Sequence, residues 1–486
     1  MNDTTETGPD ADTGAPASTE HPWLIPDGPT LARTLPGILA GTREGLIDGR
    51  IAPSQSVRRT TKEVAAIDLD EPIGAEAAAL ELADLMERGD LRSAGSRCFG
   101  YFNPTAAWPG VLADVVVSAR NPQLAVTTHA PASMAMERRA LAWMIERIGW
   151  SGEASGHFTS GGSEANGAGL LVALIRADAD FADQGVRALR GAPRIYASAD
   201  SHLAWVKLAR AAGIGAAAVR LIPTDGAGRM SSEALAQTVE SDQRAGDVPI
   251  LVAATVGTTN AGAIDPVAEC RAICDRFGVH LHVDSAWAGA LAASDEHRHH
   301  VAELELADSL TIDAHKWLSV PMGTGMVFVR NREWLHRAYG VATGYMPTGD
   351  GEDAYITTGQ WSRRFLGARL WMMLRANGRA GYEALFRAHF ALARSLRDEL
   401  PTHGWRVLND TPLPVVLFED AREGAESQAI ADGLEHHGEL WLGRVEYEGR
   451  SALRACMTSF LTGPDDTAVL LERLGQVRRA VTAAGA

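Results

Sequence analysis

Six short apolar runs between Gly100 and about Arg330 limit most strongly how this chain of 486 residues can fold. Each run is continuous rather than alternating, and stretches with a helical pattern separate one run from the next. Strands that are apolar on both faces are typical of parallel sheets covered by helices on both sides. The pattern therefore predicts an α/β fold with a mostly parallel central sheet. The runs are 194–198, 219–222, 250–255, 280–284, 309–313 and 326–329.

Composition predicts how the rest of the chain is organised. Residues 1–20 are rich in Thr, Asp, Glu, Gly, Pro and Ala and have almost no apolar content, so we expect a disordered tail. Residues 21–99 have a helical pattern, and residues 100–375 hold the six runs and form the predicted large domain. Residues 376–486 combine helical segments with short strand-like runs, which predicts a smaller α+β domain.

Charge and motif content exclude several classes of function. The formal net charge is −16, which argues against a nucleic acid or an anionic membrane surface as partner. There is no apolar run of about 18 residues and no signal-peptide pattern, so we expect no membrane partner and a cytoplasmic location. The four cysteines show no CxxC spacing, and the polar cluster 295–300 lacks separated ligand spacing. No metal site is predicted.

Two ionisable side chains stand near the ends of predicted strands. Asp284 ends the run 280–284, and Lys316 follows the run 309–313 just ahead of a Gly-containing loop. Ligands bind mostly parallel sheets beyond the carboxyl ends of the strands, so both side chains are expected at a ligand. A lysine alone would prove little, because most lysines are solvated surface charges.

A glycine-rich turn adds a third part. Gly161, Gly162 and Ser163 precede a helical stretch, and free N–H groups at a helix start favour an anion such as phosphate. A phosphate cradle, a strand-end carboxylate and a strand-end lysine are the parts needed to hold pyridoxal phosphate.

With these parts in this order, the chain resembles the group II pyridoxal-phosphate-dependent decarboxylases, of the aromatic-L-amino-acid decarboxylase type. The resemblance extends from about Gly100 to the segment around Cys456. It implies the fold type I of aspartate aminotransferase, and a homodimer with shared active sites in which the N-terminal helical segment wraps around the second subunit. The motifs that carry it are Ser160 to Asn166, Asp200-Ser201-His202, Thr255 to Thr259, His282 to Ala286, His315-Lys316-Trp317 and Arg363-Arg364-Phe365.

The resemblance and the chemistry assign roles around the cofactor. Lys316 is expected to form the Schiff base through its ε-amine, and Asp284 to pair with the pyridinium nitrogen. The resemblance places Ala286 against one face of the ring and His202 against the other. The expected cofactor contacts are Gly161, Gly162, Ser163, His202, Thr255, Asp284, Ala286, Asp313, His315 and Lys316.

Tyr345 is the residue expected to decide the reaction type. It lies in a Gly- and Pro-rich loop that is a candidate lid. The resemblance implies that its phenol protonates the quinonoid carbon after carbon dioxide leaves, whereas homologues with Phe there tend towards aldehyde formation. The expected catalytic set is Lys316, Tyr345, His202 and Asp284. We therefore expect an L-amino-acid α-decarboxylase; an aldehyde synthase on the same fold and a catalytically silent cofactor-binding protein are the alternatives.

The substrate pocket is expected around residues 101–108 and 124–128. The resemblance implies that Phe102, Thr105, Tyr345 and Arg363 contact or support the substrate. Neither stretch contains Arg or Lys, so an acidic side chain would lack an evident partner. This favours an aromatic or bulky apolar L-amino acid.

Overall fold

The computed structural model describes residues 28–343, 353–422 and 427–485. The chain divides into two units, one formed by Met1–Asp48 and Pro53–Leu91 and the other by Gly49–Ala52 and Arg92–Ala486. The tail predicted to be disordered, residues 1–20, lies outside the described residues.

The first unit is helical, as the sequence pattern predicts for this segment. It contains α1 (Gly28–Asp48), α2 (Val57–Ala65) and α3 (Ala75–Gly89). The hydroxyl of Ser56 accepts a hydrogen bond from the backbone N–H of Arg59 and caps the start of α2. Arg88 of α3 pairs with Glu63 of α2 at 2.8 Å, which joins the two helices.

The second unit carries two sheets. Its strands are β1 (Ser155–Thr159), β2 (Pro193–Ser198), β3 (Val219–Ile222), β4 (Val248–Thr255), β5 (His280–Asp284), β6 (Ser309–Asp313), β7 (Gly325–Val329), β8 (Trp405–Val407), β9 (Val415–Asp420), β10 (Gly443–Tyr447) and β11 (Arg450–Cys456). Its helices are α4 (Trp108–Arg120), α5 (Pro131–Ile148), α6 (Gly162–Ala177), α7 (Phe181–Gln184), α8 (Ala204–Ala211), α9 (Ser232–Arg244), α10 (Val267–Phe277), α11 (Glu333–Tyr339), α12 (Gly367–Thr402), α13 (Ser427–His437) and α14 (Pro464–Gly485). Short 3-10 helices cover Gly185–Arg187, Ala216–Ala218, Ala288–Ala293, Arg298–Leu306 and Ala354–Ile356.

The larger sheet has seven strands in the order β1-β7-β6-β5-β4-β2-β3. Strands β6, β5, β4, β2 and β3 run parallel, whereas β7 is antiparallel to both of its neighbours. All residues of β5 and β6 are buried, which agrees with their continuous apolar pattern. The predicted α/β fold with a mostly parallel sheet is confirmed.

Two features of this sheet differ from the sequence-based expectation. The strand β1 was not predicted, because its sequence SGHFT contains too few apolar residues to form a continuous run. The run 326–329 forms β7, but in the antiparallel direction, since only a short loop separates it from β6 and a parallel return needs a longer crossover.

The smaller sheet is antiparallel, with the order β10-β11-β9-β8. Its core joins Leu396 of α12, Phe418 of β9, Leu453 of β11 and Leu470 of α14, all of which are fully buried. The long helix α12 is interrupted at Gly378, whose φ of 57° lies in the left-handed region that glycine tolerates. None of the helices within the described ranges is long and apolar enough to cross a membrane.

Candidate active site

The carboxyl ends of five strands meet at one edge of the larger sheet. Strands β2, β4, β5 and β6 are parallel, and β1 has the same direction because it is also antiparallel to β7. Thr255 at the end of β4 is in register with Asp284 at the end of β5. A cavity of about 360 Å³ lies beyond this edge. Its described lining is Asn103, Ser160, Gly161, Gly162, Ser163, Glu164, Asn166, His202, Thr255, Gly257, Thr259, Asp284, Ala286, Trp287, Asp313, His315, Lys316 and Met322.

Asp284 is held from two sides. Its Oδ2 accepts a hydrogen bond of 2.8 Å from Nδ2 of Asn166, and its Oδ1 accepts one of 3.2 Å from the backbone N–H of Ala286. The residue is 6% exposed, so the carboxylate is nearly buried but still reaches the cavity. Two donors therefore fix the orientation of this carboxylate.

Lys316 lies on the loop that follows β6. Its Nζ is 3.1 Å from Oδ2 of Asp313, and one quarter of its side chain is exposed. The other oxygen of Asp313, Oδ1, is buried and has no hydrogen-bond partner. The amine therefore faces the cavity next to a carboxylate that is only partly satisfied.

The glycine-rich turn connects β1 to α6. A Cβ at Gly162 would lie 2.9 Å from Oδ2 of Asp313, so only glycine allows the turn to come so close. The carboxylate of Glu164 accepts a hydrogen bond of 2.7 Å from the backbone N–H of Ser160 and holds the turn from within the helix. The 16-residue helix α6 thus presents its amino end to the cavity.

Three further expected residues line the same cavity. Nδ1 of His202 accepts a hydrogen bond of 3.1 Å from the backbone N–H of Ala204, which leaves the proton on Nε2. The hydroxyl of Thr255 is buried without a partner. Nδ1 of His315 accepts a hydrogen bond from the backbone N–H of Thr324, and burial lowers the pKa of this histidine.

The expected substrate residues are placed differently. Phe102 does not line the cavity; it stacks on the lining residue Trp287 with ring centroids 4.3 Å apart. Thr105 is buried, and its hydroxyl donates to the backbone carbonyl of Ala94. Tyr345 lies outside the described residues.

Arg363 is also away from this cavity. It is 4% exposed and forms a buried ion pair with Glu137 beside a second cavity of about 180 Å³. The surroundings of Arg363 are those of a residue that supports the fold, since its known charge partner is a protein carboxylate.

Sequence reasoning missed several residues that line the site or support it. Asn166 belongs to a motif noted for its glycines, and its amide contacts Asp284 directly. Trp287 follows the strand-end carboxylate, and its indole N–H donates to the carbonyl of Gly257 at 2.6 Å. Arg454 of β11 donates to the carbonyl of the lining residue Thr259, and its guanidinium lies over the ring of Phe102. His282 and Asp284 alternate at the end of β5, and this pattern was the sequence signal that could have indicated polar partners for Asp284.

Another cavity of the described residues is larger than this one. A cavity of about 570 Å³ is lined by residues such as Asp265, Arg229 and His300. It contains neither a lysine nor the amino end of a helix with a glycine-rich turn. We therefore assign the site by its chemistry rather than by its volume.

The residues present fit pyridoxal phosphate. The amino end of α6 and its glycine turn suit a phosphate, the Lys316 amine suits the aldehyde group, and the Asp284 carboxylate suits a protonated ring nitrogen. The buried Thr255 hydroxyl has no partner within the protein, and the small side chain of Ala286 lines the same cavity, which suits a flat ligand.

Comparisons with known proteins agree with this fit. The family described as the pyridoxal-dependent decarboxylase conserved domain matches residues 81–420. The acidic amino acid decarboxylase GADL1 of Mus musculus is 31% identical over 392 residues, covering 76% of this chain and 70% of the relative. The L-2,4-diaminobutyrate decarboxylase of Rhizobium meliloti is 30% identical over 384 residues, covering 77% of this chain and 76% of the relative.

The fold agrees as well. The crystal structure of Oryza sativa TDC with PLP and tryptamine superposes with a TM-score of 0.86 at 24% identity, covering 93% of this chain and 97% of that one. At this identity the likeness shows the fold alone, which is that of the fold type I enzymes.

Proposed function

Because the chain belongs to the pyridoxal-dependent decarboxylase family, we propose that it decarboxylates an L-amino acid with an aromatic or bulky apolar side chain. Pyridoxal phosphate is its cofactor, and its class is that of the carboxy-lyases acting on amino acids. The substrate and the roles of individual residues are the proposed part.

Bound pyridoxal phosphate supplies an electron sink for the bond that breaks. Lys316 attaches the cofactor through Nζ, and Asp284 keeps a positive charge at the ring nitrogen. The turn from Gly161 to Ser163 binds the phosphate through backbone N–H groups and the hydroxyl. His202 and Ala286, which both line the cavity, would hold the cofactor ring from its two faces. Tyr345 then delivers a proton to the α-carbon.

The proposed substrate class rests on the charge of the residues that line the cavity. Among the described lining residues Lys316 is the single Lys or Arg, and it is assigned to the cofactor. The carboxylate of Glu164 is already bonded to Ser160 and Gln360. An acidic side chain would find no guanidinium among them, whereas the Trp287 ring offers an aromatic surface backed by Phe102.

A second candidate has support from the relatives. The names of the two curated relatives refer to acidic amino acids and to L-2,4-diaminobutyrate, which are charged substrates. An acidic side chain would need a cationic residue that the described lining does not offer, such as one of a second subunit, whereas a cationic side chain would meet the lining carboxylates of Glu164 and Asp313.

We also propose a homodimer, as the family resemblance implies. Supporting it, α4 exposes Trp108, Leu112, Val115 and Val116, an apolar surface that a partner would cover. Light scattering of the purified protein would test the dimer, and a monomer at micromolar concentration would contradict it.

A substrate panel tests the proposal. The holoenzyme is given L-Trp, L-Tyr, L-Phe, L-Leu, L-Met, L-Glu, L-Asp and L-2,4-diaminobutyrate, and amine, carbon dioxide, aldehyde, ammonia and oxygen are followed together. We expect amine and carbon dioxide from one of the first five, without oxygen uptake. Turnover restricted to the charged substrates would refute the substrate class, and aldehyde with ammonia and oxygen uptake would identify an aldehyde synthase.

A further inference from the structure

Strand β5 directs three polar side chains towards one helix. His280, His282 and Asp284 alternate along the strand, so all three project from the same face of the sheet. Helix α6 packs on this face, and its Asn166 reaches Asp284. The three strand residues and Asn166 are each at most 6% exposed. A buried row of polar groups is costly unless every member is hydrogen-bonded.

The row is completely bonded. Asn166 Nδ2 lies 2.8 Å from Asp284 Oδ2, and Asn166 Oδ1 lies 3.0 Å from His282 Nε2. Ser309 of β6 joins the two histidines, with its Oγ 2.8 Å from His282 Nδ1 and 2.7 Å from His280 Nε2. Each atom in this sequence of contacts meets the next at hydrogen-bond distance.

The carboxylate end fixes the direction of the bonds. An ionised carboxylate only accepts, so the Asn166 amide must donate through its nitrogen and turn its oxygen towards His282. That oxygen needs a donor, so the proton of His282 is on Nε2. Nδ1 of His282 is then an acceptor, and the hydroxyl of Ser309 donates a hydrogen bond to it.

The contact between Arg176 and His280, at the opposite end of the row, independently requires the same direction of hydrogen-bond donation. A guanidinium only donates, and NH1 of Arg176 lies 2.6 Å from Nδ1 of His280. The proton of His280 is therefore on Nε2 and is donated to Ser309. Arg176 is itself paired with Asp308 at 3.1 Å, and its side chain is one third exposed. All bonds thus point from the surface towards Asp284.

Burial keeps both imidazoles in the form that this arrangement needs. It lowers the pKa of His282 to about 4 and that of His280 to about 3, so each ring carries a single N–H at neutral pH. Gly169 of α6 provides the space, because a Cβ there would lie 2.5 Å from Nδ1 of His282.

We propose that Asn166, His282, Ser309, His280 and Arg176 form a one-directional hydrogen-bond relay that orients Asp284 and keeps it ionised opposite the cofactor's ring nitrogen. The inference rests on the proposed role of Asp284 and goes beyond it, since none of the relay residues other than Asn166 lines the cavity. These are positioning residues. Each donor in the series is polarised by the one behind it, and the sum favours negative charge on Asp284.

The relay predicts a measurable state of the cofactor. With Asp284 held ionised, the ring nitrogen of bound pyridoxal phosphate stays protonated. Holoenzyme loaded with ¹⁵N-labelled pyridoxal phosphate reports this directly, because the ¹⁵N chemical shift of the ring differs strongly between the protonated and the neutral form. The ¹⁵N chemical shift reports the protonation of the ring nitrogen. A purely structural role of the relay would leave this shift unchanged.

The variants separate the relay from the site itself. Asn166→Leu removes the contact to Asp284, and Ser309→Ala interrupts the series between the two histidines without touching the cavity. Ser294→Ala is the matched control, because Ser294 is fully buried and its hydroxyl donates to Glu383 outside the site. Asp284→Asn is the reference for loss of the carboxylate.

We expect the ring-nitrogen signal of Asn166→Leu to move towards that of Asp284→Asn, and that of Ser309→Ala to move in the same direction by less. In the same two variants kcat should fall by roughly 10- to 100-fold with KM nearly unchanged, as is typical when a residue behind a ligand contact is lost. Ser294→Ala should match the wild type.

Each other outcome contradicts either the relay or the proposed role of Asp284. If Asp284→Asn leaves the ring-nitrogen signal unchanged, the proposed role of Asp284 is wrong and the relay falls with it. If Asp284→Asn moves the signal but Ser309→Ala does not, the relay is wrong while the role of Asp284 stands. Should Asn166→Leu fail to fold, Ser309→Ala alone still decides the question.

Discussion

Asp313 and Lys316 form an ion pair at the end of β6, with Oδ2 and Nζ 3.1 Å apart. The same Oδ2 lies where a Cβ of Gly162 would approach to 2.9 Å, so the carboxylate also faces the glycine turn assigned to the phosphate. In the proposed binding mode, Asp313 would attract the amine of Lys316 and repel the phosphate of the cofactor.

This double role predicts the effect of Asp313→Asn. The amide keeps the shape and removes the negative charge, so pyridoxal phosphate should bind about 10-fold more tightly, or about 1.4 kcal/mol. Titration of the apoprotein with cofactor, followed by its visible absorption, measures this. Asp410→Asn, a carboxylate outside the site cavity, should leave the affinity unchanged. Weaker binding in Asp313→Asn would mean that the ion pair dominates the repulsion.

Lys316→Arg should abolish the covalent link to the cofactor. The guanidinium retains the charge that faces Asp313 but does not form an imine at neutral pH. Only three lysines, Lys62, Lys207 and Lys316, occur in the sequence, which makes the assignment simple. Borohydride reduction of the holoenzyme followed by peptide mass mapping should find the cofactor on Lys316 alone, with Lys207→Arg as the control. Label on another lysine would overturn the assignment.

Tyr345→Phe should change the product rather than the affinity. Without the phenol proton, the α-carbon is open to oxygen, and the product should shift from amine towards aldehyde and ammonia. An oxygen electrode combined with amine and aldehyde analysis measures the ratio. Tyr355→Phe, on the short 3-10 helix that follows, is the matched control. A variant that still yields only amine would exclude the proposed proton donor.

Arg363→Met should reduce stability much more than substrate binding. Removing one partner of a buried ion pair leaves Glu137 uncompensated, at a cost of about 3–5 kcal/mol. Urea unfolding should show this loss, while Glu137→Met combined with Arg363→Met should recover a large part of it. A rise in KM at unchanged stability would instead assign Arg363 to the substrate.

Buried histidines predict that the protein loses stability in mild acid. The pKa of His389 is lowered to about 4 by burial, against about 6.5 in the unfolded chain. The contribution of neutral His389 to the free energy of unfolding is therefore full above pH 6.5. It is lost as the pH falls towards 4, because the unfolded state binds the proton first.

His389→Gln tests this sign. Glutamine offers an oxygen to the Trp317 indole N–H, now 2.8 Å from Nδ1 of His389, and it does not titrate. The free energy of unfolding, measured in urea between pH 4 and 6.5, should fall less steeply in the variant, by close to one proton. Burial raises the pKa of Asp265 to about 7, which acts in the opposite sense, so the difference between variants is the test. Equal slopes would contradict the prediction.

The strands that continuous apolar runs predict were found at nearly the predicted residues, because burial on both faces leaves a clear mark in the sequence. Strand β5 spans His280–Asp284 and β6 spans Ser309–Asp313, as expected. Strands with mixed sequences were not predicted: β1 carries Gly and His, and β10 alternates exposed with buried residues. The direction of β7 depended on loop length, which the apolar pattern does not express.

The site shows the same contrast between features that are visible in the sequence and features that depend on packing. Asp284 and Lys316 could be located because the ends of parallel strands define where a ligand lies, and the glycine turn was readable from its helix start. The partners of Asp284 could not, since the contact between Asn166 and His282 depends on how α6 packs over β5. Arg363 was expected near the substrate from its motif, and its buried ion pair with Glu137 could not be predicted from the sequence because it depends on packing.

The antiparallel return of β7 has a consequence for how the site can vary. Residues 314–324 leave the sheet at Asp313 and re-enter it at Gly325, and these two residues are paired with each other. The segment that carries Lys316 is therefore clamped at both of its ends by one ladder of hydrogen bonds. An insertion there would shift Lys316 relative to the two paired residues, whereas the connections after β2 and β4 do not carry this lysine. Diversification of the substrate range, in nature or in a designed library, is thus directed to those connections, and the lysine remains the fixed reference point of the site.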